Sequence, residues 1–158
     1  MNLKHLFKQV VVFVVAWYLL YFMTFGLHEQ FHALVLHLLG IESKVTFVWV
    51  GPVPIAAFTW PEVWPVARLA LALVGLAGGL GVAACFICLD LFVPGIHSSR
   101  GLDLALNYHV GQQATYAVGE ALAVTQVISP PMFQVVIVLS YLVGVLFVLL
   151  ELTGVINI

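Results

Sequence analysis

The stretch Val10-Val11-Val12-Phe13-Val14-Val15-Ala16-Trp17-Tyr18 runs on without a charge into Phe25-Gly26-Leu27-His28-Glu29-Gln30-Phe31-His32 and ends at Leu38-Leu39-Gly40. Its apolar length predicts a membrane helix over about 7–39, stopped by Gly40. At 1.5 Å per residue that helix is longer than a bilayer core of about 30 Å, so it must tilt, protrude or bend, and Gly26 is the expected bend. On a helix, residues four apart share a face, so His28 and His32 point the same way. Two imidazoles so placed can chelate one Zn²⁺, with Glu29 acting on a metal-bound water. Ionisable groups inside a bilayer are costly, which makes three of them in one turn a functional signal.

Composition agrees. Of 158 residues, 63% are hydrophobic and 8% charged, and the mean hydropathy is +1.15. A soluble domain needs more polar cover, so the chain reads as an all-α integral membrane protein. The net charge of −2 is uninformative, and no basic run points to a nucleic-acid partner. Cys85 and Cys88 form a C-x-x-C inside an apolar run with no second pair elsewhere, which reads as small membrane-helix residues rather than a redox or zinc pair. Lys4 and Lys8 precede an apolar stretch too long for a signal peptide, so this is a retained first span.

Outward from the first helix, residues 41–64 change character. Lys44-Val45-Thr46-Phe47-Val48-Trp49-Val50, the break Gly51-Pro52, and Ile55-Ala56-Ala57-Phe58-Thr59-Trp60 before Pro61 and Pro65 predict a short β-hairpin or extended loop at the membrane interface. A second span is expected over about 66–92, with Gly75, Gly78, Gly79 and Gly81 as close-packing residues. A third, about 102–128, is rich in polar groups and must face protein or water. A fourth, about 132–152, is plainly apolar and acts as scaffold. Four spans place both termini on one side. Lys4, Lys8 and Arg100 against Lys44 and Arg68 favour the cytoplasm. One membrane domain fills the chain.

A catalytic zinc usually takes three protein ligands. Counted from Lys8, His28 and His32 lie roughly 30–36 Å along their helix, and Glu120 lies roughly 27 Å up the third helix from its start near Leu102, on the same side of the membrane. His109 is only about 10 Å up, and Asp103 is at the mouth. Glu120 is therefore the expected third ligand, with Asp103 and His109 as alternatives. Gln113, Tyr116 and Glu120 fall on one stripe, where Gln113 or Tyr116 can polarise a scissile carbonyl or support the metal ligands.

The block Phe25-Gly26-Leu27-His28-Glu29-Gln30-Phe31-His32-Ala33 with Leu38-Leu39-Gly40-Ile41 resembles the first core helix of the site-2 proteases, intramembrane zinc metalloproteases of peptidase family M50. The β-rich 44–60 and the small-residue run Val74–Gly81 look similar to the family's next segments, so the resemblance covers about residues 10–85. It implies His28 and His32 as zinc ligands and Glu29 as general base. The family's third ligand is an Asp in a Leu-Asp-Gly motif led by Asn and Pro, whereas this chain has Gly101-Leu102-Asp103-Leu104. The expected function is an intramembrane zinc protease acting on a membrane-protein or peptide substrate within the lipid bilayer. The alternatives are a catalytically inactive pseudoprotease or accessory subunit of a membrane complex, and a haem-binding bundle with axial histidines.

Overall fold

The computed structural model describes residues 3–50, 53–59 and 67–155. Gly51-Pro52, Trp60, Pro61, Pro65 and Val66, used above to bound the hairpin and second span, lie outside the described residues. Four long helices are described: α1 (Leu3–Leu38), α2 (Arg68–Phe92), α3 (Arg100–Val124) and α4 (Pro130–Leu152). Three of them, α1, α2 and α4, are long and apolar enough to cross a membrane. Between α1 and α2, strands β1 (Lys44–Val50) and β2 (Val53–Thr59) pair antiparallel from Lys44↔Thr59 to Val50↔Val53. Both strands lie against α1.

The 36 residues of α1 span about 54 Å. The helix passes through Gly26 without interruption. It ends as its sequence dictates: Gly40 takes φ +73°, and the amide of Ile41 donates to the Leu36 carbonyl at 2.9 Å. The buried residues of α1 are Ala16, Leu20, Thr24, His28, His32 and Leu36, each four apart. They form a single ridge of the helix surface, the kind that seats in a neighbour's groove. Most other α1 side chains, such as Val14, Leu19 and Met23, are exposed.

Helix α3 is the inverse case. Ala105 through Gln113 are all buried, so this polar helix is enclosed by protein around its middle. It packs against α1, α2 and α4, while α1 and α4 hardly touch each other. Between lipid-facing helices, burial of apolar area drives little, and close packing and hydrogen bonds carry the association. The α2 glycines provide that closeness. A Cβ on Gly75 would lie 2.6 Å from the Ala121 Cα, and one on Gly79 would collide with the Gln113 carbonyl, so α2 and α3 meet backbone to backbone.

Two apolar clusters result. One joins Leu20, Val82, Phe86, Leu106 and Val110 in mid-bundle, and the other joins Leu36, Ile41 and Val74 near the hairpin. His28 and His32 sit between them along the α1 ridge. At the N-terminal end of α3, the Gly101 amide donates to Gln9 Oε1 at 2.9 Å, tying α3 to α1. Asn107 Nδ2 donates to Glu151 Oε2 at 2.6 Å, tying α3 to α4.

The element limits differ from expectation in two places. Helix α3 stops at Val124, not near 128, because Gln126 adopts a left-handed φ of +59° and the Val127 amide turns back to the Leu122 carbonyl. Helix α4 starts at Pro130, because proline is suited to a first helical turn that needs no amide donor. Cys85 and Cys88 are free thiols.

Candidate metal centre

The i, i+4 spacing stacks His28 and His32 edge to face, with ring centroids 4.6 Å apart. Their Nε2 atoms approach to 2.9 Å. Glu120 reaches across from α3, placing Oε2 3.0 Å from His28 Nε2 and Oε1 3.2 Å from His32 Nε2. Among the described residues, His28, His32 and Glu120 are the group whose donor atoms converge as metal ligands do. His32 is 1% exposed, and His28 is buried with it.

The outer nitrogens decide the chemistry. His32 Nδ1–H donates to the Val74 carbonyl of α2 at 2.6 Å. His28 Nδ1–H donates to Gln113 Oε1 at 3.3 Å, and Gln113 Nε2 donates in turn to Gln112 Oε1 at 3.4 Å. With both Nδ1 atoms committed as donors, each neutral imidazole presents its Nε2 lone pair inward. Two such lone pairs and a carboxylate then converge with no donor among them. A proton can bridge one pair at a time, whereas a metal ion satisfies all three groups together.

Size agrees with a small ion. Tetrahedral zinc with ligand bonds near 2.0–2.1 Å sets ligand atoms about 3.3 Å apart. The two imidazole Nε2 atoms stand 2.9 Å apart, and each lies 3.0 or 3.2 Å from a different oxygen of the Glu120 carboxylate, so the three groups are already at the spacing of ligands around one small ion. The donor set, two imidazoles and one carboxylate, is a usual catalytic zinc set with a position left for water. Helix α2 makes the room: a Cβ on Gly78 would lie 2.5 Å from His32 Nε2 and 2.6 Å from His28 Nε2.

Glu29 follows His28 on α1 and is half-buried, and its Oε2 is enclosed yet has no hydrogen-bond partner. Tyr116, one turn before Glu120, sets its ring edge to face with His28 at 5.4 Å. Beside them lies a cavity of about 260 Å³, lined by α1 and, across from it, by α3 and α4. Glu29, His28, Gln113 and Tyr116 all line it.

The structure thus brings Glu120, Gln113 and Tyr116 to the histidine pair and leaves the two alternative ligands elsewhere. His109 Nε2–H donates to the Trp17 carbonyl at 3.0 Å, within the rings of Trp17, Phe86 and Tyr108. It lies three turns of α3 from Glu120. Asp103 sits near Glu151 and Arg100 at the opposite end of α3. Sequence reasoning missed the Val74 carbonyl and the role of Gly78, which looked like one packing glycine among several. The signal available was only its position in a small-residue run. Comparison with protein families, with characterised proteins and with solved structures finds no match for this chain.

Proposed function

We propose that this protein is an intramembrane zinc metallopeptidase that hydrolyses a peptide bond in or near a transmembrane segment of another membrane protein. The observation that carries the reading is the inward convergence of His28 Nε2, His32 Nε2 and Glu120 beside Glu29, whose Oε2 has no hydrogen-bond partner, at a cavity. The resemblance of the first helix to the site-2 proteases points the same way. In this reading α3 is a fourth span, its polar groups sheltered by the other three, and both termini face the cytoplasm.

His28, His32 and Glu120 hold the zinc. When bound, the ion supplies Lewis acidity and brings the pKa of a coordinated water to about 7. Glu29 is the general base: its free Oε2 takes a proton and returns it to the amine nitrogen of the leaving segment. Gln113 and the Val74 carbonyl fix the histidine tautomers, so both Nε2 lone pairs stay inward. Tyr116 lines the cavity wall next to His28, where its hydroxyl donates to a scissile carbonyl oxygen.

The test is metal analysis of purified protein beside mass-spectrometric mapping of new peptide ends in membranes. Wild type carries about one zinc per chain and generates new ends within membrane spans. His28→Ala/His32→Ala carries none. Glu29→Gln keeps zinc and loses cleavage by at least 10²-fold. Full zinc in the double variant refutes the centre. Zinc with identical ends in wild type and Glu29→Gln refutes the protease in favour of an inactive relative.

A further inference from the structure

Resting on that reading, the cavity beside Glu29 has a shape and lining that select what enters. Its volume of about 260 Å³ exceeds the roughly 150 Å³ that hold a benzene ring in a protein interior. It is too small for a turn of intact helix, which is about 10 Å wide and 5.4 Å tall. A substrate therefore meets this site as an extended residue with one large side chain, not as a helix.

The walls say which side chain. On α1, Tyr21 stacks on Trp17 with centroids 5.5 Å apart and 15° between planes, and meets Phe25 edge to face at 4.6 Å. This ladder of rings four residues apart holds Tyr21 and Phe25 rigid on one side of the cavity. On the other side stand Tyr116 of α3, braced by Phe133 at 5.7 Å, and Tyr141 of α4. Thr24 of α1 spends its hydroxyl proton on the Leu20 carbonyl at 2.9 Å, so it adds no donor to the wall. The result is a slot between aromatic faces and edges, open beside the metal ligands.

We infer that this slot is the specificity pocket of the enzyme and takes an aromatic side chain of the residue adjoining the scissile bond. A ring entering it gains stacked or edge contacts on both sides, which an aliphatic chain of equal volume does not. Tyr141 and Ile137 determine the selection, since they are the side chains that α4 contributes to the lining.

The experiment uses the full-length, zinc-loaded protein in detergent and three amino-acid hydroxamates: glycine, leucine and phenylalanine hydroxamate. All chelate zinc alike and differ in side chain. Calorimetry should show phenylalanine hydroxamate binding at least tenfold tighter than glycine hydroxamate and severalfold tighter than leucine hydroxamate. Ile137→Trp fills the slot and should abolish that preference, as should Tyr141→Ala by removing a wall, each with glycine hydroxamate affinity unchanged. Equal binding of the three probes to wild type overturns the pocket while leaving the zinc centre standing. Leucine matching phenylalanine overturns the aromatic selection. Protein that takes up no zinc on loading, and so binds none of the probes, overturns the metal centre and the pocket with it.

Discussion

The replacement Gly78→Ala isolates the metal centre in one methyl group. The new Cβ would sit 2.5 Å from His32 Nε2, 2.6 Å from His28 Nε2 and 2.7 Å from His28 Cε1. To regain ordinary contact, the imidazoles must retreat by roughly 1 Å. Zinc ligation tolerates only about 0.2 Å. The methyl also lies against both inward lone pairs, where the ion belongs. Loss of an outer hydrogen-bonding partner alone weakens zinc sites by about 10–100-fold. The blocked site should lose at least the upper figure, about 2.8 kcal/mol. Against the fold, the change is mild, because alanine is favoured over glycine in a helix by about 1 kcal/mol. Gly26→Ala is the matched control: the same change in α1, two residues before the motif, with nothing within 4 Å of the new carbon beyond its chain neighbours and the helix's own adjacent backbone. Zinc titration against a chelator and far-UV circular dichroism read the two outcomes separately. Gly78→Ala should stay helical and bind zinc at least 100-fold more weakly, and Gly26→Ala should match wild type in both. Wild-type zinc affinity in Gly78→Ala refutes the placement of the ion between the two Nε2 atoms.

Further expectations concern single contacts. Glu120→Gln should lose zinc by at least 10²-fold, since an amide replaces the charged ligand, whereas Asp103→Asn should retain it because Asp103 lies at the other end of α3; chelator competition separates them. Gln113→Leu, by freeing His28 Nδ1, should weaken zinc by about 10–100-fold without removing a ligand, and an unchanged affinity would refute its orienting role. Asn107→Leu leaves Glu151 without its 2.6 Å donor; thermal unfolding in detergent should show a loss of about 1–3 kcal/mol with zinc content intact.

The features that follow from one helix's own periodicity were legible in the sequence. The shared face of His28 and His32 is fixed by 3.6 residues per turn, and the depth of Glu120 by the rise per residue, so counting placed three groups that come from two distant segments. The hairpin of Lys44–Thr59 was legible from β-branched and aromatic runs about a Gly-Pro break. What stayed hidden depends on how one helix is rotated against another. Gly75, Gly78 and Gly79 look alike in sequence, yet one meets the Ala121 backbone, one the imidazoles of His28 and His32 and one the Gln113 carbonyl. Asp90 shows the same blindness: its sequence position near the end of α2 does not reveal that it is 3% exposed in the bundle. The end of α3 was misplaced because Val127 and Ile128 continue an apolar pattern, and the left-handed turn at Gln126 has no glycine to announce it.

The enclosure of α3 bears on how the chain is built in a cell. Its mid-section carries Asn107, His109, Gln112 and Gln113, all buried by neighbours rather than by lipid. Such a segment has little tendency to leave a translocation channel sideways on its own, since each polar group would enter hydrocarbon without a partner. Only residues 125–129 separate it from the strongly apolar α4. With α3 as the fourth span proposed above, the two helices integrate as a hairpin, α4 supplying the affinity for the bilayer and α3 carried beside it. The histidine pair on α1 is synthesised first and waits for Glu120 until that hairpin docks. Assembly of the bundle and completion of the His28–His32–Glu120 cluster become the same event, so under the proposed protease function a partly inserted chain has no finished centre with which to cut its neighbours.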